Sequence, residues 1–77
     1  MLLPRDERPE NSAYYVGALL IDLLTKTDNE ALALPDLFLR VKEQHGVAPA
    51  LFFLAIDWLY LVGAIRVTSE GVISLCS

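Results

Sequence analysis

Apolar residues fall in three blocks and one alternating tail, and the blocks differ in how polar positions interrupt them. The first, SAYYVGALLIDLLTK, is apolar nearly all round, with Asp22 as its only charge before the last turn. The second is amphipathic. Leu34, Leu37, Phe38 and Val41 recur at i, i+3, i+4 and i+7, the signature of one buried helix face, while Asp36, Arg40, Glu43 and Gln44 take the other. The third, VAPALFFLAIDWLYLVGAI from Val47 to Ile65, has Asp57 as its single charge. A helix apolar on every side must be buried on every side, and a short chain has little of its own to cover it with. In the tail, AIRVTSEGVISLCS, the period changes from helical to alternating.

Boundary residues sharpen these blocks into elements. Residues 1–11 read as an arm, because Pro4 and Pro9 block regular structure, and residues 12–77 read as one domain. Ser12 or Asn11 is a suitable N-cap for a first helix running to about Lys26, and the polar run Thr27-Asp28-Asn29-Glu30 ends it. Ala31-Leu32-Ala33 can form a very short strand, although its alanine content gives weak support. Pro35 suits the first position of the second helix, where a missing N–H costs nothing. Gly46 closes that helix, with His45 in its last turn, and the third helix restarts at Pro49 and stops near Gly63. Ile65 and Val67 are expected to point inward, with Arg66 and Thr68 outward. Ser69-Glu70-Gly71 supplies a turn, and residues 72–75 return to pair antiparallel with residues 65–67. Helix, short strand, helix, helix and hairpin predicts a mostly helical α+β domain: a single winged helix-turn-helix with a C-terminal β-hairpin wing.

In that fold the third helix buries one stripe against the first two and offers the opposite stripe for recognition. Counting back from Gly63, Phe52, Ile56 and Leu59 form the inward stripe, flanked by Ala55 and Val62. The outward stripe is then Phe53, Leu54, Asp57, Trp58 and Leu61. Proteins that read DNA place Arg, Lys, Asn, Gln or Ser on this surface, because base edges and phosphates demand hydrogen-bonding groups. This stripe offers almost none. An exposed apolar patch of that kind marks a protein interface, and Trp58 and Tyr60 are natural anchors for one. The competing reading is that these aromatics fill a larger core. Tyr14 and Tyr15, at the start of the first helix, are open to both readings.

Composition points the same way. The chain has 77 residues, of which 55% are hydrophobic. A core of this size rarely supplies more than about 3–5 kcal/mol without a staple or a partner. Cys76 is a lone cysteine, so no intramolecular disulfide can form, and with His45 it makes too few ligands for zinc. The remaining route is assembly, so the isolated chain is expected to aggregate or self-associate. The net charge of −4, with six scattered basic residues, argues against nucleic acid as the main partner. The single His45, the isolated glycines and the widely separated Asp22 and Asp57 assemble no catalytic or phosphate-binding constellation. Asp22 and Asp57 are each expected to meet an arginine or a backbone donor at an interface. No catalytic, cofactor or metal site is expected. The charged MLLPRDERPENS start does not resemble an export signal, so a cytoplasmic location is expected. A membrane span over residues 47–65 is opposed by Asp57 near its centre and by Pro49 and Gly63, which bracket a shorter helix.

The arm LLPRDERPENS, the first helix YVGALLIDLL and the segment FFLAIDWLYLVGAI together resemble the middle component 6 family of bacterial ABC-three-component systems. Leu2-Leu3-Pro4, Arg8-Pro9 and the run from Asp57 to Ile65 carry most of the likeness, which spans the whole chain. The resemblance implies an adaptor subunit with no chemistry of its own. Its partners would be an SMC-like ABC ATPase and an effector-side subunit, in a prokaryotic conflict system of the Lamassu antiphage kind. Three rivals come from other classes: a winged-helix DNA-binding transcriptional regulator, a small single-span membrane protein, and an independent homodimer using the aromatic face on itself.

Overall fold

The computed structural model describes residues 12–76. The arm assigned to residues 1–11, and Asn11 as an alternative cap, lie outside the described residues. Helix α1 spans Ala13–Thr25. It starts where it does because the Ser12 hydroxyl oxygen accepts hydrogen bonds from the Tyr14 and Tyr15 N–H groups, at 3.1 and 3.4 Å. These are two of the donors that a helix start leaves without partners. The polar run that follows makes a 3-10 turn at Asp28–Glu30, with Asn29 and Glu30 at positive φ. Asn tolerates that conformation, whereas for Glu it is uncommon.

Helix α2 runs Leu34–His45 and α3 runs Pro49–Leu61. Helix α2 begins one residue earlier than the sequence suggests, so Pro35 sits second in it. The second N–H of a helix also lacks an internal acceptor, so the proline remains free of cost there. Gly46 closes α2 in the left-handed conformation, φ 67°, and donates its N–H to the Lys42 carbonyl at 2.8 Å.

The described residues also form three short strands: β1 (Ala31–Ala33), β2 (Ile65–Val67) and β3 (Val72–Leu75). They form one antiparallel sheet in the order β1-β3-β2. Ile65, Arg66 and Val67 pair with Leu75, Ser74 and Ile73, the hairpin expected from the alternating tail. The other edge of β3 takes up β1, where Leu32 stands opposite Ile73. The turn is pinned by Thr68, whose hydroxyl oxygen accepts from the Glu70 and Val72 N–H groups at 3.2 and 3.1 Å. Gly71 follows at φ 83°.

The core is entirely apolar, with no buried polar or charged side chain among the described residues. Val16, Leu20 and Leu24 of α1, Leu37 and Val41 of α2, and Phe52, Ala55, Ile56 and Leu59 of α3 meet over Ile65 and Ile73 of the sheet. Phe52 is the largest fully buried side chain, and its ring meets Phe38 edge-on with centroids 5.0 Å apart. The layout is that of a winged helix. Two inward assignments are corrected. Val62 is the C-cap of α3, its N–H donating to the Trp58 carbonyl at 3.0 Å, and its side chain is exposed. Val67 alternates correctly with Arg66, but it is exposed, beside an open cleft next to α3. No helix among the described residues is long and apolar enough to cross a membrane; α3 itself has 13 residues.

Candidate interaction face

Helix α3 divides sharply around its axis. Phe52, Ala55, Ile56 and Leu59 are buried, whereas Phe53, Leu54, Asp57, Tyr60 and Leu61 are exposed. The exposure is large for such side chains: 51% for Phe53, 56% for Leu54 and 79% for Leu61. Within the helix, residues seven apart lie two turns apart on nearly one line. Phe53 with Tyr60, and Leu54 with Leu61, therefore make two short apolar rows, with Asp57 midway along them. Four of the five outward assignments hold. Tyr60 extends the face toward the hairpin.

Trp58 departs from its expected place. It is half-buried, in the seam between α3 and α1. Gly17 is the reason: a Cβ built there would stand 3.4 Å from Trp58 Cζ3 and 3.5 Å from Leu59 Cδ2. These are ordinary contact distances, so a residue no larger than alanine at position 17 leaves the indole ring its place beside α1. The ring of Tyr14 meets the indole edge-on, with centroids 4.8 Å apart, and Tyr14 itself is exposed. Tyr14 and Trp58 thus form the α1 border of the face. Tyr15, the next residue around α1, is partly exposed and is not part of that stacked pair.

On the opposite border, Ile56, Asp57, Tyr60 and Val67 line an open cleft of about 390 Å³ between α3 and β2. The Asp57 carboxylate is exposed, and among the described residues no ion pair or hydrogen bond engages it. Asp22 differs from the expectation of an interfacial partner: it pairs with Lys26 one helical turn on, at 3.0 Å, with both groups in solvent. Such an exposed i,i+4 pair contributes only about 0.3–0.5 kcal/mol. A second, polar cleft of about 360 Å³ lies between the end of α1 and α2, lined by Lys26, Thr27, Asp28, Ala31, Leu32 and Arg40.

Among the described residues, reactive groups are not gathered at any one place. His45 and Cys76 are exposed, in separate parts of the fold. Among the described residues no three of His, Cys, Asp and Glu come close enough to hold a metal ion. The basic residues Lys26, Arg40, Lys42 and Arg66 all belong to parts of the chain other than α3.

Fold and face together define a small winged-helix domain whose third helix presents apolar and aromatic side chains where DNA-reading relatives of the fold present donors. The family model for the ABC-three component (ABC-3C) system Middle Component 6 matches residues 3–76, and the chain belongs to that family. It is therefore a middle component of a multi-subunit ABC-three-component system. No curated protein and no solved structure matches the chain.

Proposed function

We propose that this protein is a non-catalytic adaptor that binds other subunits of its system through the exposed face of α3 and the adjoining start of α1. The observation that carries this reading is the set Phe53, Leu54, Tyr60 and Leu61, left in solvent on a helix with no cation. Covering these side chains is favourable at about 25 cal/mol per Å² of apolar surface. Membership of a multi-subunit system supplies candidates to cover them. The partner we favour is the SMC-like ABC ATPase, with an effector-side subunit held by the same assembly, in an antiphage role and in the cytoplasm. Sequence-specific DNA binding is disfavoured, because the face lacks the donors that base edges require.

The test is co-expression of the tagged chain with the other two components of its system. Leu54→Ser with Leu61→Ser changes only exposed side chains, so thermal unfolding of the isolated domain should barely move. Capture of the co-expressed components should fall by tenfold or more, in the range of hot-spot truncations. Undiminished capture by that double variant would remove the face from the assembly.

A further inference from the structure

The exposed rows of α3 carry one charge, and its position restricts what can cover them. Asp57 sits midway between Phe53 and Tyr60 along one row and between Leu54 and Leu61 along the other. It also opens onto the cleft formed with Ile56, Tyr60 and Val67. Any chain covering the rows therefore takes this carboxylate out of water. Removing a charge from water without a partner is strongly unfavourable, and an opposite charge within reach offsets that loss.

A second copy of the chain fits this poorly. A two-fold contact is self-complementary, so a dimer centred on α3 brings each Asp57 toward the other. Two carboxylates drawn together in an apolar setting repel, and the net charge of −4 on each copy adds repulsion at longer range. The shape of the face also restricts the occupant. Phe53, Asp57 and Leu61 at i, i+4 and i+8, and Leu54, Asp57 and Tyr60 at i, i+3 and i+6, are the two kinds of ridge that pack into the grooves of another helix, and they cross at Asp57.

Resting on the proposed adaptor role, we infer that this face seats an amphipathic helix from a different protein, and that the apolar ridge of that helix bears one arginine or lysine directed at Asp57. The aliphatic stem of the cation lies against Ile56 and Val67, and its head reaches the carboxylate beside the ring of Tyr60. An arginine gains further from that ring, through the attraction between a cation and an aromatic face. The ion pair fixes which helix is accepted and in which register, while the leucine and phenylalanine side chains supply the apolar contact. Charge at an interface acts in this way on specificity more than on bulk affinity.

The experiment places a photo-crosslinking phenylalanine analogue at Tyr60 in the full chain, co-expressed with the other two components of its system, and maps the crosslinked peptide by mass spectrometry. The expected product joins Tyr60 to a helical segment of a different protein, with an arginine or lysine within one turn of the crosslink. A crosslink to a second copy of this chain, to its own residues 1–11, or to a segment without a cation overturns the inference. In parallel, Asp57→Lys should weaken capture of that component roughly thirtyfold or more, the scale for disrupting a buried charge pair. Its unfolding temperature should stay close to that of the parent, since Asp57 is exposed. Exchanging the crosslinked cation for aspartate should then restore capture of the Asp57→Lys variant. Failure of that exchange, or full capture by Asp57→Lys alone, sinks the ion pair. Loss of capture by the Leu54 and Leu61 double variant alongside full capture by Asp57→Lys refutes this inference and leaves the adaptor role standing. Full capture by both removes the adaptor role as well.

Discussion

Phe52 and Phe53 are identical side chains on consecutive positions of one helix, and their replacement by alanine separates the two faces of α3. Phe52 is fully buried, in contact with the rings of Phe38 and Phe53. Its truncation loses the transfer free energy of a whole aromatic side chain and leaves a cavity, together about 3–5 kcal/mol. A domain of this length holds about that much stability in total. Phe52→Ala should therefore be largely unfolded when isolated at 25 °C. Phe53 is half in solvent, and its ring meets that of Phe52 on the same helix, centroids 5.1 Å apart. Its truncation leaves no enclosed void and forfeits roughly half of the usual burial of such a side chain, about 1 kcal/mol. That corresponds to a fall in Tm of about 4–8 °C for a domain of this size. Urea unfolding followed by far-UV circular dichroism measures both, and the fluorescence of the sole tryptophan, Trp58, reports the α1–α3 seam independently. Equal losses for the two variants would mean that α3 is rotated from the orientation described. A larger loss for Phe53→Ala would reverse the faces altogether.

Two further substitutions test the seam between α1 and α3. Trp58→Ala should both lower the stability of the isolated domain, by about 1–2 kcal/mol for a half-buried aromatic, and weaken assembly, because the indole ring belongs to the core edge and to the border of the face; an unchanged urea midpoint would refute its place in the seam. Gly17→Ala should be tolerated, and should raise the stability by up to about 1 kcal/mol, since the added carbon meets its neighbours at ordinary contact distance and glycine is a poor helix former. Gly17→Leu should instead force the helices apart and destabilise the domain by about 1–3 kcal/mol, so similar midpoints for the two variants would contradict the close approach.

Much of the fold is legible in the sequence because its boundaries are chemical. Ser12, Pro35, Gly46 and Pro49 each have a local reason to start or stop a helix, and local reasons survive without knowledge of the partner element. The alternation around Ile65 fixes the β2–β3 register for the same kind of reason, since a slip of one residue would turn Ile65 to solvent. Strand β1 is less legible. Ala31-Leu32-Ala33 has little strand preference of its own, and it becomes a strand only because β3 offers it an edge forty residues away in sequence. The faces of α3 show a subtler limit. With nearly every position apolar, periodicity assigns no direction, and the orientation has to be counted from Gly63. That count places Phe52, Ile56 and Leu59 inside and Phe53, Leu54 and Leu61 outside, in agreement with the structure. It misplaces Trp58, because the width of the buried stripe depends on Gly17 of another helix. It also carries the stripe one residue too far, to Val62, where the helix has already ended. Val67 shows the same limit in a strand: alternation gives the side it points to, but only the neighbouring helix determines whether that side is closed.

The middle position of β3 bears on how such a chain is made in a cell. As the chain leaves the ribosome, all three helices emerge before the strand that both β1 and β2 need. Until Ile73 arrives, β1 has no hydrogen-bonding partner and the underside of the helical layer has no floor. At ~5–20 residues per second the stretch from Leu61 to Ile73 takes roughly 0.6–2.4 s, longer than small helical domains take to collapse. During it, both sides of α3 face the crowded interior of the cell: the one that will become core, and the one that remains outside in the finished domain. A subunit that captured the outer side at this stage would shield it while the sheet was still incomplete.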